Sequence, residues 1–580
     1  MRNNPEQTRS DNYCASFFEA SYSGKRVLVL APHQDDEINL AAGAIPNFLK
    51  AGAEVFAAFT TNGDYNSHNS ADLRLSEAAR ALEVLGLNRE HIFILGYGDT
   101  FNYSPSGHIF YSDDEPVKSH HGVTQTYGGA GFSDFAYITR KEHSTYTRKN
   151  FLHDIKSLLL HVMADVIICV DFDNHPDHRM LSLSFERVMG EILSRPGNDY
   201  RPEVLKRFAY STAMTAVPDL YADNLRETQK PTPAELIDTS CYSWRERVRL
   251  PVPEESRKPF LAGNMTAEAL ACHESQAAIY KAERVINSDE VFFQRRTDSL
   301  TFSAHVRASS GNPDCAHDFM LLNVSEIDSP SPEWTNYLWQ PESGDSEKRI
   351  VFTWDNEQTI SRVRLWGNVD GTPIQNALLE TDNGCSVELG KFPEHGLPVV
   401  IDIPADKQQG VRQLSVKILD GRSDCGLAEV EAFPQRGYRG VIRPFVQILA
   451  GDNFAYTFNR KPEQQSIPVG CYCFGVNEPV NWSVMGNAVL EDGSLVFHDD
   501  SDVIVRAEAG GAYCQAVFHT LTKKDIENHQ RLLTLDRKYL ARYRRRVRSK
   551  YYLRTIKEQG IFSLVKHMLS RIIDKLGGRE

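Results

Sequence analysis

An α/β domain built on a parallel sheet, followed by two β-sandwiches and a basic helical tail, is the fold class this sequence predicts. Three observations carry that expectation. Val27-Leu28-Val29-Leu30 and Val166-Ile167-Ile168-Cys169-Val170 are apolar runs too short for helices, and each empties into a loop of His and Asp, as buried parallel strands do. Up to about residue 310 such runs alternate with helical stretches, Leu73 to Leu85 and Asn150 to Met163 among them, whereas beyond it helices nearly vanish. Residues 523–580 carry 17 Lys plus Arg against 6 Asp plus Glu, a net of +11, which leaves −13 − 11 = −24 for the rest of the chain. The expected division is 1–310, 311–435, 436–522 and 523–580.

The two strand-end loops read His33-Gln34-Asp35-Asp36-Glu37 and Asp171-Phe172-Asp173-Asn174-His175-Pro176-Asp177-His178. Ligands of α/β sheets bind beyond the carboxyl ends of parallel strands, so both loops are expected to face one crevice. Imidazole with carboxylate suits Zn²⁺, and a catalytic zinc keeps three protein ligands and one open position. His33, Asp36 and His178 supply such a set. Bound zinc lowers the pKa of water from about 15.7 to about 7, and a further carboxylate must take the proton. Asp35 is the candidate base. If the second loop opens a helix, His175 shares a face with His178 and stands where an oxyanion would form.

These residues resemble the signature pair of the PIG-L/LmbE-like zinc de-N-acetylases: Ala31-Pro32-His33-Gln34-Asp35-Asp36-Glu37 and His175-Pro176-Asp177-His178. Further matches follow in order: Thr61-Asn62-Gly63-Asp64, Arg74-x-x-Glu77 with Leu85-Gly86, Leu95-Gly96-Tyr97-Gly98-Asp99 and His273-Glu274-Ser275-Gln276. The resemblance spans residues 24 to 300 or so. It implies a Rossmann-like sheet and removal of acetyl from N-acetylglucosamine units of glycolipids and related conjugates. It also implies zinc on His33, Asp36 and His178, with Asp35 as base, His175 as oxyanion partner, and Arg74 and Asp99 holding sugar hydroxyls. Gln34 stands where the family usually has proline.

From Thr100 to Tyr146 the chain is long and rich in Tyr, Gly, Ser and His. Thr126 to Phe132, with His120, His121 and His143 nearby, reads as a lid whose aromatics stack on sugar, or as an ordinary surface excursion. The spacing of these histidines matches no second metal site.

With 580 residues, 41% hydrophobic, the chain is long enough for three or four packed domains, and the composition excludes a disordered protein. No apolar run of about eighteen residues and no apolar leader appears, so a soluble protein is expected. The ten cysteines are scattered except Cys471-x-Cys473, which fits reduced thiols and a cytoplasmic setting.

From Phe319 to Phe433 short strands alternate: Arg349 to Trp354, Ile360 to Trp366, Val399 to Ile403, and Leu414 to Leu419. Ile360-x-x-Val363-x-Leu365-Trp366-Gly367 and the closing Gly426 to Phe433 resemble a discoidin, galactose-binding-like domain. Trp334, Tyr337 and Trp339 are its candidate glycan-stacking residues; the alternative is a rigid spacer with aromatics in its core. Residues 437 to 522 read as a second, immunoglobulin-like sandwich without chemistry.

In the tail, Arg542 to Tyr552 interleaves basic residues with tyrosine, and Ile561, Leu564, Val565, Met568, Ile572 and Leu576 recur at helical spacing. A basic amphipathic helix fits an anionic membrane surface; packing on a domain or second subunit is the alternative, and nucleic acid is not expected. The function expected overall is removal of acetyl by a zinc-dependent hydrolase from an N-acetylglucosamine-type sugar on a glycolipid or a surface-polysaccharide intermediate. The rivals are a carbohydrate-binding or scaffold protein on a decayed domain, and a zinc amidohydrolase of another small amide.

Overall fold

In strand β1 (Arg26–Ala31) five consecutive apolar residues, Val27 to Ala31, are buried, as a strand covered on both faces requires. The computed structural model describes residues 22–65, 70–99, 114–119, 121–173, 175–209, 221–229, 242–321, 338–368, 373–393, 397–422, 424–438 and 440–559. β1 pairs in parallel with β2 (Glu54–Thr61), β2 with β3 (Ile92–Tyr97), and on the other side β1 pairs with β4 (Val166–Val170) and β4 with β5 (Glu203–Arg207). β6 (Val248–Pro251) and β7 (Asp289–Arg295) extend the sheet antiparallel, giving the order β3-β2-β1-β4-β5-β7-β6. The chain winds outward from β1 to β3 and then returns to the far side of β1. That reversal leaves a crevice at the carboxyl ends of β1 and β4.

Among the helices that position this sheet's loops are α1 (Asp36–Ala41), α2 (Ala44–Lys50), α3 (Ser70–Val84), α4 (Phe135–Arg140), α5 (Arg148–Val162), α6 (Pro176–Leu193) and α7 (Met265–Cys272). The helix expected from Asn150 begins two residues earlier, because the Thr147 side chain accepts the Asn150 N–H as N-cap. α6 is capped by His175, whose Nδ1 accepts the Asp177 N–H at 3.2 Å, with Pro176 in the first turn.

Two further pairs of sheets follow. β8 (His305–Ala308), β9 (Arg349–Gln358), β10 (Arg362–Gly367), β11 (Asn376–Thr381), β12 (Ser386–Glu388), β13 (Val399–Asp402), β14 (Val411–Asp420) and β15 (Leu427–Phe433) form antiparallel sheets β13-β10-β15 and β12-β11-β14-β9-β8 over one core that includes Phe352, Val363, Leu365, Val416 and Val430. A division at residue 310 would cut off β8, which pairs with β9. This unit seats closely on α6: a Cβ at Gly190 would stand 1.9 Å from the Asp318 carbonyl oxygen. Trp339 is fully buried, donates Nε1–H to the Ser310 carbonyl at 2.9 Å and bridges Leu427, so it is core rather than a glycan platform. Trp334 and Tyr337 lie outside the described residues. The strands between Phe445 and Thr520 form a five- and a four-stranded sheet around Val446, Ile448, Val505 and Phe518. The eight described cysteines form no disulfide, and the Cys471 and Cys473 sulfurs are 3.9 Å apart.

Helix α8 (Lys523–Gln559) ends the described chain. Asp536 is fully buried and accepts the backbone N–H groups of Leu261 at 2.6 Å and Ala262 at 3.1 Å; Tyr543 is buried in the core of the first domain. For this part of the tail, packing on a domain is the arrangement present, and Ile561 to Leu576 lie outside the described residues. Among the described residues no helix is long and apolar enough to cross a membrane.

Glu203 of β5 sits at the seam with the last sheets, fully buried, accepting the Ile442 N–H at 2.8 Å and Gln294 Nε2–H at 2.5 Å. Burial pushes its carboxyl up to about 7, against the opposing pull of those donors. An acid raised in the folded state holds its proton while the unfolded chain has released it, so stability falls as pH rises from the ordinary Glu range to about 7. The expected loss is about 1.4 kcal/mol per pH unit over that window. Thermal melts at pH 5, 6, 7 and 8 check it: the slope assigned to this group is absent in Glu203→Gln, and an unchanged slope there refutes the assignment.

Candidate active site

The loop after β1 turns at His33, and α1 starts at once, burying Asp36, Glu37 and Asn39. Asp36 Oδ2 lies 3.0 Å from His33 Nδ1 and 3.1 Å from His178 Nε2, so one carboxylate oxygen meets an imidazole from each strand-end loop. The other ring nitrogens are also held. His178 Nδ1 is 2.8 Å from Asp173 Oδ2, and His33 Nε2 is 2.9 Å from Asp177 Oδ2 and 3.4 Å from Asp99 Oδ1. The His175 ring stands 4.6 Å from that of His33 and 4.8 Å from that of His178, centroid to centroid. Among the described residues, His33, His175 and His178, and likewise His33, Asp99 and Asp177, bring nitrogen or carboxylate atoms within 4.8 Å of one another.

The electrostatics of this cluster call for positive charge. Burial alone would lower His178, yet Asp173 and Asp36 raise it to about 9; burial would lower His33 too, and Asp99, Asp177 and Asp36 hold it well above its usual value. Asp36 is held well below the carboxylate range despite burial, by His178 and His33. His175 behaves oppositely: burial and then the charges of His33 and His178 push it down to about 4, so its ring is neutral near pH 7. Two imidazoles converging on one buried carboxylate oxygen, backed by an outer carboxylate on His178, form a donor set that fits a divalent transition metal.

Asp35 sits beside this cluster with its own partners. It occupies the cap position of α1 without capping it, its N–H donates to Glu37 Oε2 at 2.8 Å, and its Oδ2 accepts from Lys281 Nζ at 2.5 Å. Arg74 of α3 spans the mouth: Nη1 donates to Asp99 Oδ2 at 3.0 Å, Nη2 to Gln276 Oε1 at 2.7 Å, and Asp35 Oδ1 is 3.7 Å away. Gln34 is buried and donates Nε2–H to the Thr61 carbonyl at 2.7 Å. Its Oε1 lies 2.2 Å from where a Cβ on Gly63 would stand, and Gly63 has φ +72°, so glycine there follows from Gln34. The His-x-Ser-Gln segment closes the site: His273 Nε2 is 2.7 Å from Glu37 Oε1, Ser275 binds Glu77, and Gln276 Nε2 donates to the Gln34 carbonyl at 2.5 Å.

All seven residues expected from the sequence, His33, Asp35, Asp36, Arg74, Asp99, His175 and His178, thus form one contiguous cluster. The structure adds Asp173 behind His178, Asp177 and Glu37 as buried partners, and Lys281 on Asp35. Asp173 could have been noticed in the acidic run ahead of His178, whereas nothing in the sequence marked Lys281. The expected lid is tied down where it is described. Tyr127 O–H donates to Asp64 Oδ2 at 2.7 Å, Tyr127 N–H to the Gly96 carbonyl, and His121 and His143 are bound to the Asp64 carbonyl and the Asp134 carboxylate. His120 lies outside the described residues.

Fold and site together define a parallel-sheet α/β domain with a buried His/Asp ligand cluster at its switch point. Residues 28–189 match the family model described as GlcNAc-PI de-N-acetylase, PIG-L. The matched segment, similar to that family, holds most of strand β1, strands β2 to β4 and all seven residues named above. Residues 299–433 match a model described only as a domain of unknown function, DUF7402. No curated protein matches the chain. Among solved structures, similar chains include an N,N'-diacetylchitobiose deacetylase from Pyrococcus horikoshii (15% identity, 51% of this chain and 95% of that chain, TM-score 0.28). Others are a Streptococcus pneumoniae fucose binding module, SpX-3 (13%, 24% and 98%, 0.19), and the family 32 carbohydrate-binding module of NanJ from C. perfringens (13%, 22% and 91%, 0.17).

Proposed function

We propose that this protein is a zinc-dependent hydrolase that removes the N-acetyl group from an N-acetylglucosamine-type sugar, carried on a glycolipid or a surface-polysaccharide intermediate. The PIG-L match supports the reaction class. The observation that carries the reading is the shared oxygen of Asp36, met by His33 and His178, with the Asp35 carboxylate directed elsewhere.

His33, Asp36 and His178 would hold the metal, which when bound supplies Lewis acidity toward the acetyl carbonyl and makes water more acidic. Asp35 accepts the proton of the attacking water and returns it to the departing sugar amine, so the amide yields acetate and a free amine. His175 has its Nδ1 occupied by the Asp177 N–H, which leaves the proton of the neutral ring on Nε2 as a donor to the oxyanion. Arg74 and Asp99, paired at the mouth, offer donors and acceptors to sugar hydroxyls. The two later sheet pairs are proposed as β-sandwich modules attached to this domain.

The test is bound metal and acetate release from a panel of N-acetylglucosamine conjugates, for wild type, Asp35→Asn and His178→Ala. Asp35→Asn is expected to keep its metal and lose about 10²- to 10⁴-fold in kcat. Metal without acetate from any conjugate would move the reaction to another small amide; full activity in Asp35→Asn would refute the assignment.

A further inference from the structure

The chain from Glu274 to Lys281 is held from two sides. Two short 3-10 turns, Glu274–Gln276 and Ala278–Lys281, meet at Ala277, which adopts φ +52° and so bends the segment sharply. On the inner side Gln276 fastens it to Gln34 and Arg74, and Lys281 reaches Asp35, a residue 246 positions away. On the outer side α8 grips it: Arg546 Nη2 is 2.7 Å from Glu274 Oε1, Lys550 pairs with the other Glu274 oxygen, and Arg544 Nε donates to Tyr280 O–H at 3.2 Å.

What Lys281 does to Asp35 is visible in the two carboxylate oxygens. Oδ2 is taken by the Lys281 ammonium at 2.5 Å. Oδ1 is buried and receives no hydrogen bond from the described residues, with Arg74 Nη2 3.7 Å away. A carboxylate held by one oxygen cannot rotate freely. Its second oxygen is left open in a fixed direction, which a proton acceptor needs and a structural ion pair does not.

We propose that Lys281 is a positioning residue for the deacetylation, fixing the Asp35 carboxylate so that Oδ1 faces the attacking water, and that α8 holds Lys281 in place by gripping Glu274 and Tyr280. This rests on Asp35 being the proton acceptor. Misplacement of a reacting group by about 1 Å costs on the order of 10²-fold, so loss of the tether is expected to lower kcat with little change in KM.

The experiment compares Lys281→Met, Lys281→Arg and Asp35→Asn in the full chain, reading acetate release from the N-acetylglucosamine conjugates, bound metal, and the crystal structure of each lysine variant. In Lys281→Met, kcat falls about 10- to 100-fold, KM stays within about threefold, metal content is unchanged, and the Asp35 carboxylate turns; Lys281→Arg recovers most of the loss. Unchanged kcat, a loss confined to KM, or a carboxylate that keeps its orientation without the lysine overturns the proposal. If Asp35→Asn retains full acetate release, the functional reading itself has failed. If wild type releases none, the carboxylate orientation in the Lys281→Met crystal still decides whether the lysine sets it.

Discussion

Asp36→Ala is expected to leave the protein without stoichiometric metal and to bring acetate release down to the level of buffer. Asp36 Oδ2 meets an imidazole from each loop, and the Asp36 carboxylate also accepts the His33 N–H at 3.2 Å and Asn39 Nδ2–H at 3.3 Å. Removing it takes away a ligand and leaves two imidazoles facing each other without the charge between them. Asp173→Ala makes the contrast: Oδ2 of that carboxylate touches the far nitrogen of His178 while Oδ1 accepts the His175 N–H at 3.0 Å, and loss of such an outer partner typically costs 10- to 100-fold in metal affinity. Metal titration of the apo-protein of both variants by calorimetry checks the pair. Equal affinity in Asp36→Ala and wild type would remove Asp36 from the ligand set.

Asp536→Ala is expected to loosen α8 from the first domain. Its buried carboxylate accepts two backbone N–H groups, from Leu261 and Ala262, and hydrogen bonds to a charged group are each worth about 1.5–3 kcal/mol. A net loss of about 2–3 kcal/mol corresponds to roughly thirty- to over a hundredfold faster amide exchange in the helix. Hydrogen exchange by mass spectrometry over residues 523–550 reads it directly. Unchanged protection there would mean that apolar contacts such as those of Tyr543 hold the helix unaided.

The site was legible where its chemistry lies close to a strand end. His33, Asp36 and His178 follow β1 and β4 within a few residues, so an apolar run and the loop after it revealed them together. Lys281 was illegible for a physical reason: its place depends on the bend at Ala277 and on a helix that starts more than two hundred residues later. Trp339 stayed open between glycan platform and core because an aromatic ahead of a strand looks the same whether its indole faces solvent or donates into the core, as it does to Ser310. The basic run of the tail suggested an external anionic surface, yet Arg546 and Lys550 find their anion in Glu274 of the same chain.

The docking of α8 also sets an order of events during synthesis. Lys281 leaves the ribosome well before Lys523, and at about 5–20 residues per second the intervening chain takes on the order of 10–50 seconds to emerge. Through that interval the parallel strands β1 to β5 are out, together with His33, Asp36 and His178, while the segment from Glu274 to Lys281 has no outer support. A nascent chain is thus able to gather the residues proposed to hold the metal first, and acquires the brace proposed for Asp35 only when the helix arrives.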